Sequence, residues 1–203
     1  MEIKTLILRH IQTNCYLLST ESGAIVVDPG FVNEETERFL LENSDKERLI
    51  LITHGHFDHI SGALALREKT GVKIAIGRLD NEYLSDNTLN LSCRFRTPVI
   101  PFSADILLDD LQELSVGDID VKTILTPGHT KGGVCYLIND VIFSGDTIFF
   151  ESIGRTDFPG GNYETLIDSI NKLFSLPKDY TLYPGHGEPT TLFHEKKYNP
   201  FIR

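Results

Sequence analysis

The run Thr53-His-Gly-His-Phe-Asp-His-Ile-Ser61 (THGHFDHIS) decides how this chain reads. It holds three of the seven histidines in the sequence, with an aspartate among them. In an extended segment, residues two apart point to the same side, so His54 and His56 can grip one ion together. Asp58 and His59 lie beyond a bend and can reach a second position a few ångströms away. Gly55 is small enough to let the backbone take that sharp path. Imidazole packs poorly and becomes charged near neutral pH, so a purely structural loop has little reason to hold three.

The flanking sequence supplies an α/β frame. EIKTLILRH, NCYLLST and GAIVVDPG read as three short strands in an antiparallel meander. NEETERFLLEN reads as a helix capped by Asn33, with Glu34 and Glu35 at its positive end. RLILITH is a continuous apolar run of the kind a fully buried strand shows, and it ends on His54. ISGALALREKTG reads as a helix stopped at Gly71, and VKIAIG as another buried strand. Residues 78–105 are polar and irregular and read as a loop with short helical or strand pieces. ELSVGDIDVKTIL and GGVCYLINDVIFSGD read as hairpins, turning at Val116-Gly117-Asp118 and Asn139-Asp140. NYETLIDSINKLFSL and TLFHEKKYNPF read as helices, with the short strand DYTLYP between them.

Three later loops complete a possible coordination shell. TPGHTKGG places His129 after a strand, FSGDTIF places Asp146 after another, and YPGHGE places His186 on a Pro-Gly loop. Strand-end loops are where α/β layers gather functional residues. Any one of these loops alone would be read as a turn. Their combination with HxHxDH, in this order, makes a metal centre the reading of the set. His10 and His194 have no such context and read as ordinary surface or structural residues.

Composition narrows the partners. The chain has 203 residues, 40 % of them hydrophobic, enough for one large domain or a tight pair of repeated halves. Acidic residues outnumber basic ones 29 to 19, for a net charge of -10. Such a surface repels phosphate backbones and anionic headgroups, which argues against nucleic acid or membrane as partner. No apolar run approaches the ~20 residues of a membrane span, and MEIKTLILRHIQ lacks a signal-peptide core. Cys15, Cys93 and Cys135 are unevenly spaced and form no CxxC, which suggests reduced thiols and a cytoplasmic location.

HxHxDH followed by His, Asp and His at long intervals resembles the metallo-β-lactamase superfamily, over nearly the whole chain from VVDPG to PGHG. The resemblance implies an α/β four-layer αβ/βα sandwich, with two mixed sheets face to face and helices outside. It implies one such domain over residues 1–203, without the helical C-terminal glutathione-binding domain of longer relatives. It implies two divalent metal ions, zinc first, with iron or manganese as alternatives. His54, His56 and His129 would hold metal one. Asp58, His59 and His186 would hold metal two, and Asp146 would bridge them. Asp28 of VVDPG corresponds to the family's buried aspartate behind the ligands, or else is a strand-end turn residue. An aspartate at position 146 differs from the residue many true β-lactamases carry there and points to the hydrolase branch.

Two ions about 3.5–4 Å apart share and acidify a water, and the bridging hydroxide is then the nucleophile. In this scheme Asp58 is the catalytic residue that holds it in line. SGDTIFFESIGRTDFPGG and YPGHGEPTTLFHEKKYNPF resemble short glyoxalase II-like enzymes, which implies hydrolysis of a small thioester such as S-lactoylglutathione. Arg155 stands where relatives grip glutathione. It can pair with a substrate carboxylate, or with Asp157 to pin the loop. The GRTDF loop also occurs in relatives that are persulfide dioxygenases, where His54, His129 and Asp146 would suffice for a single iron. A metal-binding module without turnover is the remaining alternative. The protein is expected as a monomer or small homo-oligomer.

Overall fold

The computed structural model describes residues 1–8 and 11–202. His10, read above as an ordinary residue, lies outside them. The first sheet is built from β1 (Glu2–Leu8), β2 (Thr13–Ser19), β3 (Gly23–Val27), β4 (Glu47–Ile52), β5 (Lys73–Gly77) and β6 (Ile106–Leu108), in that spatial order. β1, β2 and β3 pair antiparallel; β3 to β6 pair parallel. Parallel neighbours need crossovers. Two of these are helical, α1 (Glu34–Glu42) after β3 and α3 (Ala63–Thr70) before β5.

The second sheet holds β7 (Glu113–Val116), β8 (Ile119–Leu125), β9 (Val134–Ile138) and β10 (Val141–Gly145), with tight turns between β7 and β8 and between β9 and β10 and a longer loop, residues 126–133, between β8 and β9. Val116 pairs with Ile119 and Ile138 with Val141, so both turns are two-residue loops, with Asn139 at φ 54°. A small hairpin of β11 (Ile148–Phe149) and β12 (Ser152–Ile153) follows. After α4 (Tyr163–Phe174), β13 (Thr181–Pro184) adds parallel to β10 and β14 (Thr190–Thr191) closes the edge. α5 (Leu192–Tyr198) is the last helix.

Alternation along the strands makes the layers. Ile25, Val27, Leu49 and Leu51 meet Val121, Val134, Tyr136 and Phe143 between the two sheets. Val26, Ile50 and Ile52 point the other way and pack with Leu40 and Leu66 of α1 and α3. On the far side, Ile124, Cys135 and Ile142 pack with Leu166, Ile170 and Leu173 of α4. Three apolar layers thus separate helix, sheet, sheet and helix, the four-layer α/β sandwich expected. A strand that fills a layer on both faces must read as a continuous apolar run.

Two expectations change. The helix expected over ISGALALREKTG starts only at Ala63, as α3, and Ile60 instead ends a separate single turn, α2 (Phe57–Ile60). The break falls where the Gly62 N–H donates to Pro29 O at 2.8 Å. A Cβ there would stand 2.6 Å from that oxygen, so the β3–α1 loop presses on the backbone. The irregular 78–105 segment, expected to hold short helical or strand pieces, does open with one, a 3-10 helix over Arg78–Leu84. β6, the β11–β12 hairpin and β14 are short strands absent from the sequence reading. Among the described residues, no helix is long and apolar enough to cross a membrane.

Candidate metal centre

Each ligand-type side chain here follows a strand end. β4 leads through Thr53 into His54, His56 and the turn of α2 that carries Asp58 and His59. His129 follows β8, Asp146 follows β10 and His186 follows β13. The two sheets are tied together at this edge. Val134 N–H donates to Thr53 O at 2.9 Å, Asn14 N–H to Gly185 O at 2.7 Å, and Tyr136 Oη–H to Ile52 O at 2.7 Å.

The fold brings all seven predicted side chains together. His54, His56 and His129 form one group, and Asp58, His59 and His186 a second. His54, His59 and Asp146 form a third that shares a member with each; within every group the donor atoms lie within 4.8 Å. His56 Nδ1 is 2.9 Å from His129 Nε2. Asp146 reaches both sides: Oδ2 is 3.5 Å from His129 Nε2 and 3.6 Å from His186 Nε2, and Oδ1 is 3.5 Å from His59 Nε2. Asp58 Oδ2 stands 3.3 Å from His186 Nε2.

Outer contacts aim the rings. An acceptor-only partner forces the facing ring nitrogen to donate, which turns the other nitrogen inward. His59 Nδ1 donates to Asp28 Oδ2 at 2.9 Å, and His129 Nδ1 to the Arg155 carbonyl at 2.7 Å. His186 Nδ1 faces Gln12 O at 3.3 Å. Asp28 also accepts from Thr53 N–H at 2.7 Å and Thr53 Oγ1 at 2.6 Å. It is therefore the buried carboxylate behind the cluster as well as a strand-end residue.

The donor set fits divalent ions. His54 Nε2, His59 Nε2 and Asp146 Oδ1 are buried without a hydrogen-bond partner, as is His56 Nε2. Each such atom costs roughly 1–3 kcal/mol if left unsatisfied. Nitrogen ligands sit about 2.0–2.1 Å from zinc, so atoms sharing one ion stand roughly 3.3 Å apart, close to the separations above. Burial pushes His54 and His56 well below their ordinary pKa and lowers His129, which keeps them in the neutral, metal-binding form. Burial opposes a charge on His59 too, yet Asp58, Asp146 and Asp28 around it push its pKa up to about 10. The carboxylate-lined side of the cluster, around His59, therefore favours positive charge. An N/O set without sulfur accommodates zinc, iron or manganese.

A cleft of about 440 Å³ opens onto Asp58, Asp146 and His186, walled by Leu91, Phe95, Phe149, Ile153 and Phe158. Arg155 lies on this wall with its side chain already engaged. Its guanidinium donates twice to Asp157, at 2.7 Å each, and sits 3.9 Å from the Phe158 ring centroid. His194 is remote from the cluster, 3.1 Å from Glu151 and stacked on Phe150. Two contributors carry no sequence signal. Thr13 Oγ1 donates to Asp58 Oδ2 at 3.0 Å, and Asp80, from the segment read as irregular, lies under the histidine loops.

The family model described as "Metallo-beta-lactamase superfamily" matches residues 8–186. The "Probable metallo-hydrolase YqgX" of Bacillus subtilis is 37 % identical over 196 residues, covering 95 % of this chain and 93 % of that one. The "Hydroxyacylglutathione hydrolase GloC" of Haemophilus influenzae is 35 % identical over 208 residues, covering 100 % and 98 %. Among solved structures, the B3 metallo-beta-lactamase BLEG-1 superposes with a TM-score of 0.89 at 36 % identity, covering 99 % of both chains. ETHE1 from Myxococcus xanthus superposes with a TM-score of 0.77 at 32 % identity, covering 98 % and 84 %.

Proposed function

The chain belongs to the metallo-beta-lactamase superfamily, and within that setting of metal-dependent hydrolases we propose a hydrolase of S-lactoylglutathione or a related hydroxyacyl thioester. One observation carries the thioester. Among the described residues lining the cleft, Arg155 is the only polar one besides the ligand-type side chains. No lysine, tyrosine, serine or cysteine stands there to protonate a departing group. The cleft suits a group that leaves as a stable anion, and a thiol of pKa about 8.5 does so. An amide nitrogen or an alkoxide would need a proton. The likeness to GloC supports the same class. It extends over 98 % of that hydrolase, so a separate glutathione-binding domain is not needed to match it. We read residues 1–203 as one domain on the same basis.

His54, His56 and His129 would hold one divalent ion, Asp58, His59 and His186 a second, and Asp146 would face both. Bound there, the ions would supply a water of lowered pKa and Lewis acidity toward the thioester carbonyl. Asp58 is the catalytic residue in this reading. Thr13 Oγ1 donates to its Oδ2, and the carboxylate would hold the attacking hydroxide in line. The apolar walls exclude bulk water from the acyl group. Three free cysteines and no disulfide among the described residues support a cytoplasmic location.

The test is steady-state hydrolysis of S-lactoylglutathione by protein loaded separately with zinc, iron and manganese. The expected result is turnover with at least one metal and a loss of about 10²–10⁴-fold in Asp58→Ala. No turnover with any metal sinks the reading. The GRTDF loop then favours an iron persulfide dioxygenase built on His54, His129 and Asp146, read by oxygen uptake with glutathione persulfide. β-Lactam cleavage is the further assay, given the likeness to BLEG-1.

A further inference from the structure

Under the loops that carry His54, His56 and His129 lies a carboxylate that the ligand motifs do not use. Asp80 sits in the 3-10 helix and has 0 % exposure. Its Oδ2 accepts from Gly55 N–H at 2.9 Å and from Thr130 Oγ1 at 2.7 Å, and its Oδ1 accepts from Gly132 N–H at 2.6 Å. Gly55 lies between His54 and His56, and Thr130 follows His129. One side chain thus ties the loop leaving β4, in the first sheet, to the loop between β8 and β9, in the second. Both loops approach closely. A Cβ on Gly55 would stand 2.2 Å from Tyr83 Cβ, and one on Gly132 would stand 2.4 Å from Asp80 N.

All three donors to Asp80 are neutral. A buried carboxylate without a cation is costly, and burial pushes its pKa up to about 6, which still leaves it ionised at neutral pH. Filling space alone would be served as well by an apolar residue of similar size. A charge whose partners are donors on two loops does something an apolar residue cannot: it fixes the distance and direction between those loops.

We propose that Asp80 is a positioning residue that clamps Gly55, Thr130 and Gly132 and so sets the His54–His56–His129 triad, and with it the affinity and geometry of one of two metal positions. The inference rests on the reading of the cluster as a two-metal centre. The other position, at Asp58, His59 and His186, is contacted directly by Asp28 and Thr13, and Asp80 does not reach it.

Asp80→Asn keeps the size of the side chain and removes one acceptor, so its amide must face one of the three donors. Apoprotein of the parent and the variant is titrated with Co(II), followed by equilibrium dialysis and visible absorption. The parent binds two ions. The variant binds one ion about 10–100-fold more weakly and the other unchanged. In the Co(II)-loaded variant the shifted ring N–H resonance of His129 moves while that of His59 stays. For the thioester, kcat falls and KM holds within about twofold, because Asp80 does not touch substrate. Equal weakening of both ions, or of neither, overturns the proposal. A parent that takes up no Co(II) brings down the two-metal reading and the positioning role with it. Two ions in the parent and an unaltered variant remove the positioning role alone. Thr130→Val takes away one donor and covers a failure of Asp80→Asn to fold. The same ion should weaken in it by up to about tenfold, and an unchanged affinity counts against the clamp.

Discussion

His59 donates through Nδ1 to Asp28 Oδ2 at 2.9 Å, with the two side chains 0 % and 2 % exposed. The carboxylate holds the ring in one tautomer and, through Thr53, holds the strand end that delivers His54. Asp28 itself has φ 50°, a conformation asparagine also tolerates. Asp28→Asn should therefore keep the backbone and lose the acceptor for one donor. The expected result is a metal affinity lowered about 10–100-fold and an apoprotein destabilised by about 1–3 kcal/mol. Metal titration and urea denaturation of the variant check it; an unchanged metal affinity would show that Asp28 serves the turn alone.

Gly185 is required by crowding. A Cβ on it would stand 2.1 Å from Asp146 Oδ1 and 2.8 Å from His59 Cε1. Gly185→Ala should displace one of these side chains, cutting kcat by about two orders of magnitude. A fold intact by circular dichroism with lowered metal content is the expected pair of readings. Full activity with full metal content would mean the loop yields without moving either side chain.

Arg155 is paired with Asp157 and stacked on Phe158, so it has little left to offer a substrate carboxylate. Arg155→Ala should raise KM for S-lactoylglutathione by less than about tenfold. Loss of the exposed pair should leave stability almost unchanged. A hundredfold rise in KM would restore the substrate role.

Asp118 closes the end of the sandwich away from the metal centre. Hydrogen bonds from Thr20 and Ser22 hold its carboxyl down to about 2, against about 3.9 in an unfolded chain. The unfolded state takes up the proton first as pH falls. The contribution is thus present above about pH 4 and is lost as pH falls through 2. Asp118→Asn should be less stable than the parent at pH 5, and the gap should narrow at pH 2.5. Urea midpoints at the two pH values measure it, and a gap independent of pH would remove the carboxylate from the account.

The layers were legible because β3 and β4 fill an apolar layer on each face, which forces runs such as LILI. The gathering of the seven ligand-type side chains was legible because four lie in one run and three follow strands at turn-forming residues. What stayed hidden has its partners far along the chain. Asp80 meets Gly55 and Thr130, 25 and 50 positions away, and Thr13 meets Asp58 across 45; no local pattern marks such residues. β11, β12 and β14 have two residues each, too few for periodicity. The break at Gly62 comes from a tertiary neighbour, Pro29.

Each of the two outer ligand groups is assembled from both sheets: His54 and His56 with His129, Asp58 and His59 with His186. A polypeptide leaving the ribosome with only its first 128 residues carries a fragment of each group and completes neither. Completing the first group requires the loop that carries His129, completing the second requires the later loop that carries His186, and both require the two sheets to have docked. Ions held in these groups would tie the early half of the chain to the late half. Stripping the ions should loosen that union first at the strand ends, read as faster hydrogen exchange at Thr53, Val134 and Gly185 than in the helices.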